Sequence, residues 1–361
     1  MAERRHEYAP AGTLPGLLQR GRGLGALMAA ENPEAAADLV YGCVRWEWRW
    51  DARIDERDVY LARLIRDLGL PLGPVVEVLS GTGNARARAT RVLELLALDG
   101  SAEAREALGA CARREREEAG AGAAHEAGRP DPMAELASSA LLELLTDPGE
   151  SEQRKVNALR VLCGREPEAG LVPLVPSLGT ADGRYPLSRL PGVIRELGAL
   201  AMPAARDWAA SGTRWLAVEG LAVLVEHGEE QDVPTLVAEL EQDWVDRAWC
   251  GPMHLARGLA RFGPGAADAV SLLRRFWLQT PHSSERAAYL EALAAMGSAG
   301  MAQAYVESLW DCESGVRLLG VEHAPERPEV WERLRYLRDD PMEERAVREA
   351  AGRRLSGGGA S

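Results

Sequence analysis

Apolar residues recur at helical spacing along most of this chain. Over residues 84–100, Ala85, Ala89, Val92, Leu93 and Leu96 share one face, and Arg86, Arg88, Arg91 and Glu94 take the other. A second helix is predicted over 101–112. Ser101 stands at its N-cap position, and Glu103 and Glu106 sit in its first turns, where carboxylates suit the helix dipole. An amphipathic pair this short cannot bury its apolar stripe alone and requires neighbours of the same kind.

The pattern returns. Arg86-x-x-Ala89-x-x-x-Leu93 is followed by Lys155-x-x-Ala158-x-x-x-Leu162, by Arg214-x-x-Ala217-x-x-x-Leu221 and, more weakly, by Arg286-x-x-Tyr289-x-x-x-Leu293. The small middle residue admits a close neighbouring helix, and the basic residue marks the edge of the apolar face. The copies begin roughly 60–70 residues apart, about twice the period of common helical repeats, so degenerate units are expected between them. On these residues, and above all on segment 81–110, the chain resembles the HEAT-repeat family. That resemblance, spanning about residues 56–355, implies an all-α solenoid of stacked helical hairpins, about eight to ten of them by repeat length.

The order along the chain follows from breaks in the periodicity. One glycine-rich helix is expected from Leu14 to Glu31. The sequence GRGLG there lacks the preceding strand and the Lys-Ser/Thr of a phosphate loop, so its glycines read as packing or loop positions. Asn32 and Pro33 open the next helix. Trp46, Trp48 and Trp50 then alternate, which no single helical face accommodates, so this stretch is expected to be irregular or to turn one tryptophan outward. Short helices are expected at 75–79 and 171–176, and a long one over Trp244–Phe262. Four regions result: N-terminal repeats with a Trp-rich cap (1–118), a flexible Gly/Ala loop or linker (119–132), C-terminal repeats (133–355) and a disordered tail (356–361).

Composition narrows the function. The net charge of −13 lacks the basic field that phosphate binding exploits, which argues against nucleic acid as a partner. Lys155 is the only lysine, and Ala, Leu, Arg and Glu dominate, a bias resembling that of high-GC bacteria such as actinomycetes. Cys43, Cys111, Cys163, Cys250 and Cys312 are scattered without a CxxC and read as buried small hydrophobes. The absence of a signal-like segment or an apolar run of membrane length leads us to expect a cytoplasmic monomer that makes no use of a membrane.

Two aromatic–acidic groups are the candidate sites. Trp46, Trp48 and Trp50 with Asp51, Asp55 and Asp58 form the first: tryptophans beside carboxylates hold cations or anchor peptides, and the same residues would also serve as an end cap. Trp215, Trp244, Asp246 and Trp249, with Trp208, Asp207 and Asp243 nearby, form the second. The second group is similar in residue types to HEAT-like alkylpurine DNA glycosylases, which imply a Trp/Asp cleft for a cationic base. The four His-Glu dyads implied by a resemblance to deoxyhypusine hydroxylase are not matched. His6-Glu7 and His125-Glu126 fall outside predicted helices, and Glu226-His227 and Glu322-His323 are reversed. Nor does any residue mark the bilin pocket of PBS-lyase-type repeats, and no catalytic triad or HExxH appears. The expectation is therefore a non-enzymatic scaffold, with no cofactor and no metal, binding an unidentified and basic protein or peptide. The alternative is a base-releasing enzyme.

Overall fold

The computed structural model describes residues 7–118 and 132–357. Among them are 20 α-helices linked by short 3-10 turns, and no strand. The protein is all-α, as the periodicity implies. Among the described residues, no helix is long and apolar enough to cross a membrane.

Local chemistry sets the helix ends. Ser101 Oγ accepts from the Ala104 amide at 3.2 Å, Asn32 Oδ1 from Ala35 at 3.2 Å, and Ser151 Oγ from Arg154 at 3.4 Å. The paired helices run Gly83–Leu98 and Ala102–Glu118, so the charge run after Ala112 continues the second helix. The motif positions Ala89, Leu93, Ala158, Leu162, Ala217, Leu221, Tyr289 and Leu293 are all buried.

Two expected helices are broken. Leu14–Glu31 is interrupted at Gly21, whose φ of 66° ends Leu14–Arg20 before Gly23–Glu31 begins. Gly16 and Gly23 sit where no side chain fits: a Cβ on Gly23 would lie 2.0 Å from the Glu307 carbonyl oxygen. Trp244–Phe262 is also not one helix. The helix Val233–Val245 stops, Arg247 (φ 57°) and Gly251 (φ 118°) turn the chain, and Pro252–Ala260 starts afresh. At the C-terminus the helix Arg345–Gly357 includes the first two residues of the expected tail, and 358–361 lie outside the described residues, as do 119–131 of the expected linker.

The chain divides into two compact units. Unit 1 comprises Met1–Ala121, Arg247–Met253 and Val270–Ser361; unit 2 comprises Gly122–Asp246 and His254–Ala269. Unit 1 thus draws on residues from both sides of residue 119, and its N-terminal core includes Cys312 and Met342 beside Leu61, Val92 and Leu93. Unit 2 has an apolar interior of Leu141, Leu159, Ile194, Trp208, Leu236 and Leu259. Its helices Met202–Ala209 and Arg214–His227 cross at Gly220, where a Cβ would come within 2.4 Å of the Ala209 nitrogen.

Candidate functional site

The N-terminal aromatic–acidic cluster begins where Pro33–Arg45 ends. Trp46 caps that helix in extended conformation and is 52% exposed. The next residues are irregular, one of the two outcomes that the alternation allows. Trp48 turns into unit 1, packing on its core and against Tyr8 at 5.3 Å between centroids. Trp50 is half-buried and faces the His282 ring at 6.4 Å. Only Trp46 of the three is exposed.

The acids of the cluster are not an open field. Asp51 pairs with Arg53 at 2.7 Å, Asp58 with Arg49 at 3.1 Å, and buried Asp55 with buried Arg57 at 2.6 Å. Arg57 also donates to the carbonyls of Trp48 and Pro281, and Ser283 Oγ donates to Asp55 Oδ2 at 2.9 Å. Asp55 is thus a structural anion holding the N-terminal segment to residues 281–283 within unit 1.

That pair belongs to a buried ionic layer of unit 1. Arg22 meets Glu307 at 2.5 Å, Arg286 meets Asp311 at 2.6 Å, Arg317 meets Glu343 at 2.7 Å, and Arg63 meets Asp340 and Glu343 at 2.7 and 3.0 Å. All four arginines are buried. Burial would raise the Glu343 carboxyl, but Arg317 and Arg63 outweigh it and hold it below its ordinary value. Glu313 has the opposite balance. Burial, reinforced by Asp55, pushes it up to about 7.

The second aromatic group does not converge as a cleft within either unit. In unit 2, Trp215 is buried over Gly179, Trp208 is buried, Trp244 is half-buried at a helix end, and Asp246 is exposed, accepting from Gln242 at 2.9 Å. Burial and Glu239 push Asp243 up to about 6. Trp249 falls in unit 1, buried edge-on against Phe276. The histidine dyads are unremarkable pairs: His227 lies 3.8 Å from Glu226 and His323 lies 4.0 Å from Glu322. His6 and His125-Glu126 lie outside the described residues.

Three features escape the sequence pattern. Glu34, Asp38, Gly42 and Trp46, spaced one turn apart on Pro33–Arg45 and its cap, make one stripe in which Glu34, Asp38 and Trp46 are exposed and nothing lies within 4 Å of a Cβ built on Gly42. Beside that stripe, Pro15, Gln19, Leu39, Cys43 and Trp48 line an open groove with Asp38 and Trp46. The cysteines also differ from expectation: Cys43 and Cys312 are buried, Cys111 and Cys163 are half-buried, and Cys250 is exposed on the turn before Pro252. Among the described residues, two groups of ligand-type atoms gather in unit 1, Cys250 with His282 and Glu285, and Asp55 with Cys312 and Glu313, each within 4.8 Å. Spacing along a helix would have revealed the stripe; nothing local in sequence reveals the two groups. No protein-family model, curated protein or solved structure matches the chain.

Proposed function

We propose that this protein is a non-enzymatic scaffold of HEAT-like helical hairpins whose N-terminal groove docks a basic peptide segment of a partner protein. One observation carries the reading. Trp46 is exposed at the end of the stripe that bears Glu34 and Asp38, with the side-chain-free surface of Gly42 between. A tryptophan face and a carboxylate two turns away suit an apolar anchor flanked by arginine or lysine, held by cation–π and charge contacts. The net charge of −13 favours the same partners at long range. The three aspartates of the neighbouring cluster contribute less to binding, since each is paired with an arginine of its own chain. Release of alkylated bases gains no support from Trp215 and Trp249, which are buried and offer no face to a base.

The test is a random-peptide display selection on the intact chain, counter-selected on Trp46→Ala. Enriched sequences should carry a basic residue beside an aromatic or aliphatic one. Their affinity should fall more than about tenfold in Trp46→Ala, as for an interface anchor, and fall less in Asp38→Asn. Recovery of no consensus, or equal binding by Trp46→Ala, overturns the reading.

A further inference from the structure

We propose that Cys250, His282 and Glu285 form a binding site for a divalent transition-metal cation, zinc being the best fit. The Cys250 sulfur, a His282 ring nitrogen and a Glu285 carboxylate oxygen lie within 4.8 Å of one another. In a tetrahedral zinc site, bond lengths of 2.0–2.3 Å put ligand atoms about 3.3–3.6 Å apart. The difference is within reach of a side-chain rotation, and the ligand placed to make it is Cys250, whose side chain is exposed.

The other two ligands are already aimed. His282 Nδ1 lies 2.9 Å from Ser284 Oγ, which orients the ring. The Trp50 ring lies beside it, tilted by 40° with centroids 6.4 Å apart. Glu285 is 2% exposed and is held by the Gly251 amide at 2.7 Å, the Met253 amide at 3.3 Å and the Tyr289 hydroxyl at 2.5 Å. The same carboxylate therefore pins the turn that carries Cys250. Hydrogen-bonded carboxylates and an oriented imidazole are what metal sites place around the ion.

Thiolate, imidazole and carboxylate together suit zinc over magnesium or calcium, which take oxygen ligands. Three protein ligands with an exposed sulfur leave a fourth position for water.

The other ligand-type group does not qualify. Asp55, Cys312 and Glu313 are surrounded by cations of the chain itself: Arg57 occupies Asp55, and Arg286 Nη2 lies 3.2 Å from the Cys312 sulfur. Those guanidinium groups already supply the positive charge that a metal would bring.

The experiment uses the full chain, stripped with chelator and titrated with Co(II) and then Zn(II). Co(II) should give one equivalent of binding with a sulfur-to-cobalt charge-transfer band, and Zn(II) should displace it. Cys250→Ser sits at an exposed position and should keep the fold by circular dichroism while losing the band and weakening Zn(II) binding at least about tenfold. His282→Gln should weaken binding too, and Cys312→Ser should leave band and affinity unchanged. Absence of the band, or a band that survives in Cys250→Ser, overturns the proposal. The result is independent of peptide docking, which reads out at Trp46.

Discussion

Arg286 and Arg214 open the same motif in the two units and end in opposite environments. In unit 2, Arg214 is exposed and meets Glu239 at 2.9 Å across the surface. In unit 1, Arg286 is fully buried, bonded to Asp311 and donating to the Arg20 and Gly21 carbonyls. The contrast extends beyond these two residues. The ionic contacts of unit 2 around Arg154, Arg206 and Arg214 have arginines 40–64% exposed, whereas Arg22, Arg57, Arg63, Arg286 and Arg317 of unit 1 are buried. Unit 2 relies on apolar packing between helices close in sequence. Unit 1 joins helices from opposite ends of the chain with desolvated charge. Such pairs contribute little net stability over apolar substitutes, but losing one partner strands the other. Unit 1 is therefore pairing-specific and intolerant of single charge deletions, and unit 2 is tolerant of them.

The largest effect should come from stranding a charge. Arg286→Met leaves Asp311 buried without its guanidinium and should cost about 3–5 kcal/mol in urea denaturation. Adding Asp311→Leu should recover most of that loss in a double-mutant cycle. A cost below about 1 kcal/mol for Arg286→Met would erase the distinction between the units.

Glu313 tests the same layer through pH. Its folded-state value of about 7 lies above the ordinary 4.5 for glutamate, so the folded chain holds a proton that the unfolded chain releases. The stabilisation is complete below about pH 4.5 and is lost as pH rises toward 7, by at most about 3 kcal/mol. Glu343, held low by Arg317 and Arg63, acts in the opposite sense and loses its contribution as pH falls. Glu313→Gln should remove the loss between pH 4.5 and 7. The variant should therefore gain on the parent across that window and run parallel to it above. Parallel stability curves throughout would show that Glu313 ionises normally.

Much of the fold was legible in the sequence because helices announce themselves locally. The apolar stripe of Gly83–Leu98, the caps at Asn32, Ser101 and Ser151, and the small residues at Ala89, Ala158 and Ala217 all act within a few residues of themselves. The irregularity of the Trp46–Trp50 stretch was also legible, since three alternating tryptophans cannot share a helical face. The site was less legible. Arg286 and Arg214 occupy the same motif position, and only the distant segments around Arg20 and Asp311 decide that one is buried. Asp55 reads as a helix-start acid until Ser283 and Pro281 are brought beside it. Cys250 was masked by the periodicity of Trp244–Phe262, because the break depends on the positive φ of Arg247 and Gly251. Periodicity tells which face of a helix is covered, and says little about which remote segment covers it.

A packing change in unit 2 should cost less than a stranded charge in unit 1. Gly220→Ala places a methyl group against the Ala209 nitrogen and the Ala205 carbonyl oxygen, backbone atoms that cannot rotate away. The helices Met202–Ala209 and Arg214–His227 must then separate, at about 1–3 kcal/mol by thermal or urea unfolding. A neutral or stabilising outcome, as helix propensity alone would give for Gly→Ala, would mean that unit 2 is loosely packed at this crossing.

The smallest effect is expected at Arg214. Its guanidinium is 64% exposed while its partner Glu239 is 19% exposed, so water screens one side of the pair and solvates the arginine if the pair opens. Arg214→Ala should change stability by no more than about 1 kcal/mol, and less in high salt. The informative number is its ratio to Arg286→Met, measured in the same denaturant series. If the motif's basic residue were a repeat-defining contact, the two substitutions would cost alike. If the residue takes its energetic role from whatever distant segment covers it, Arg286→Met should exceed Arg214→Ala severalfold, and the shared motif records a helix face rather than a shared function.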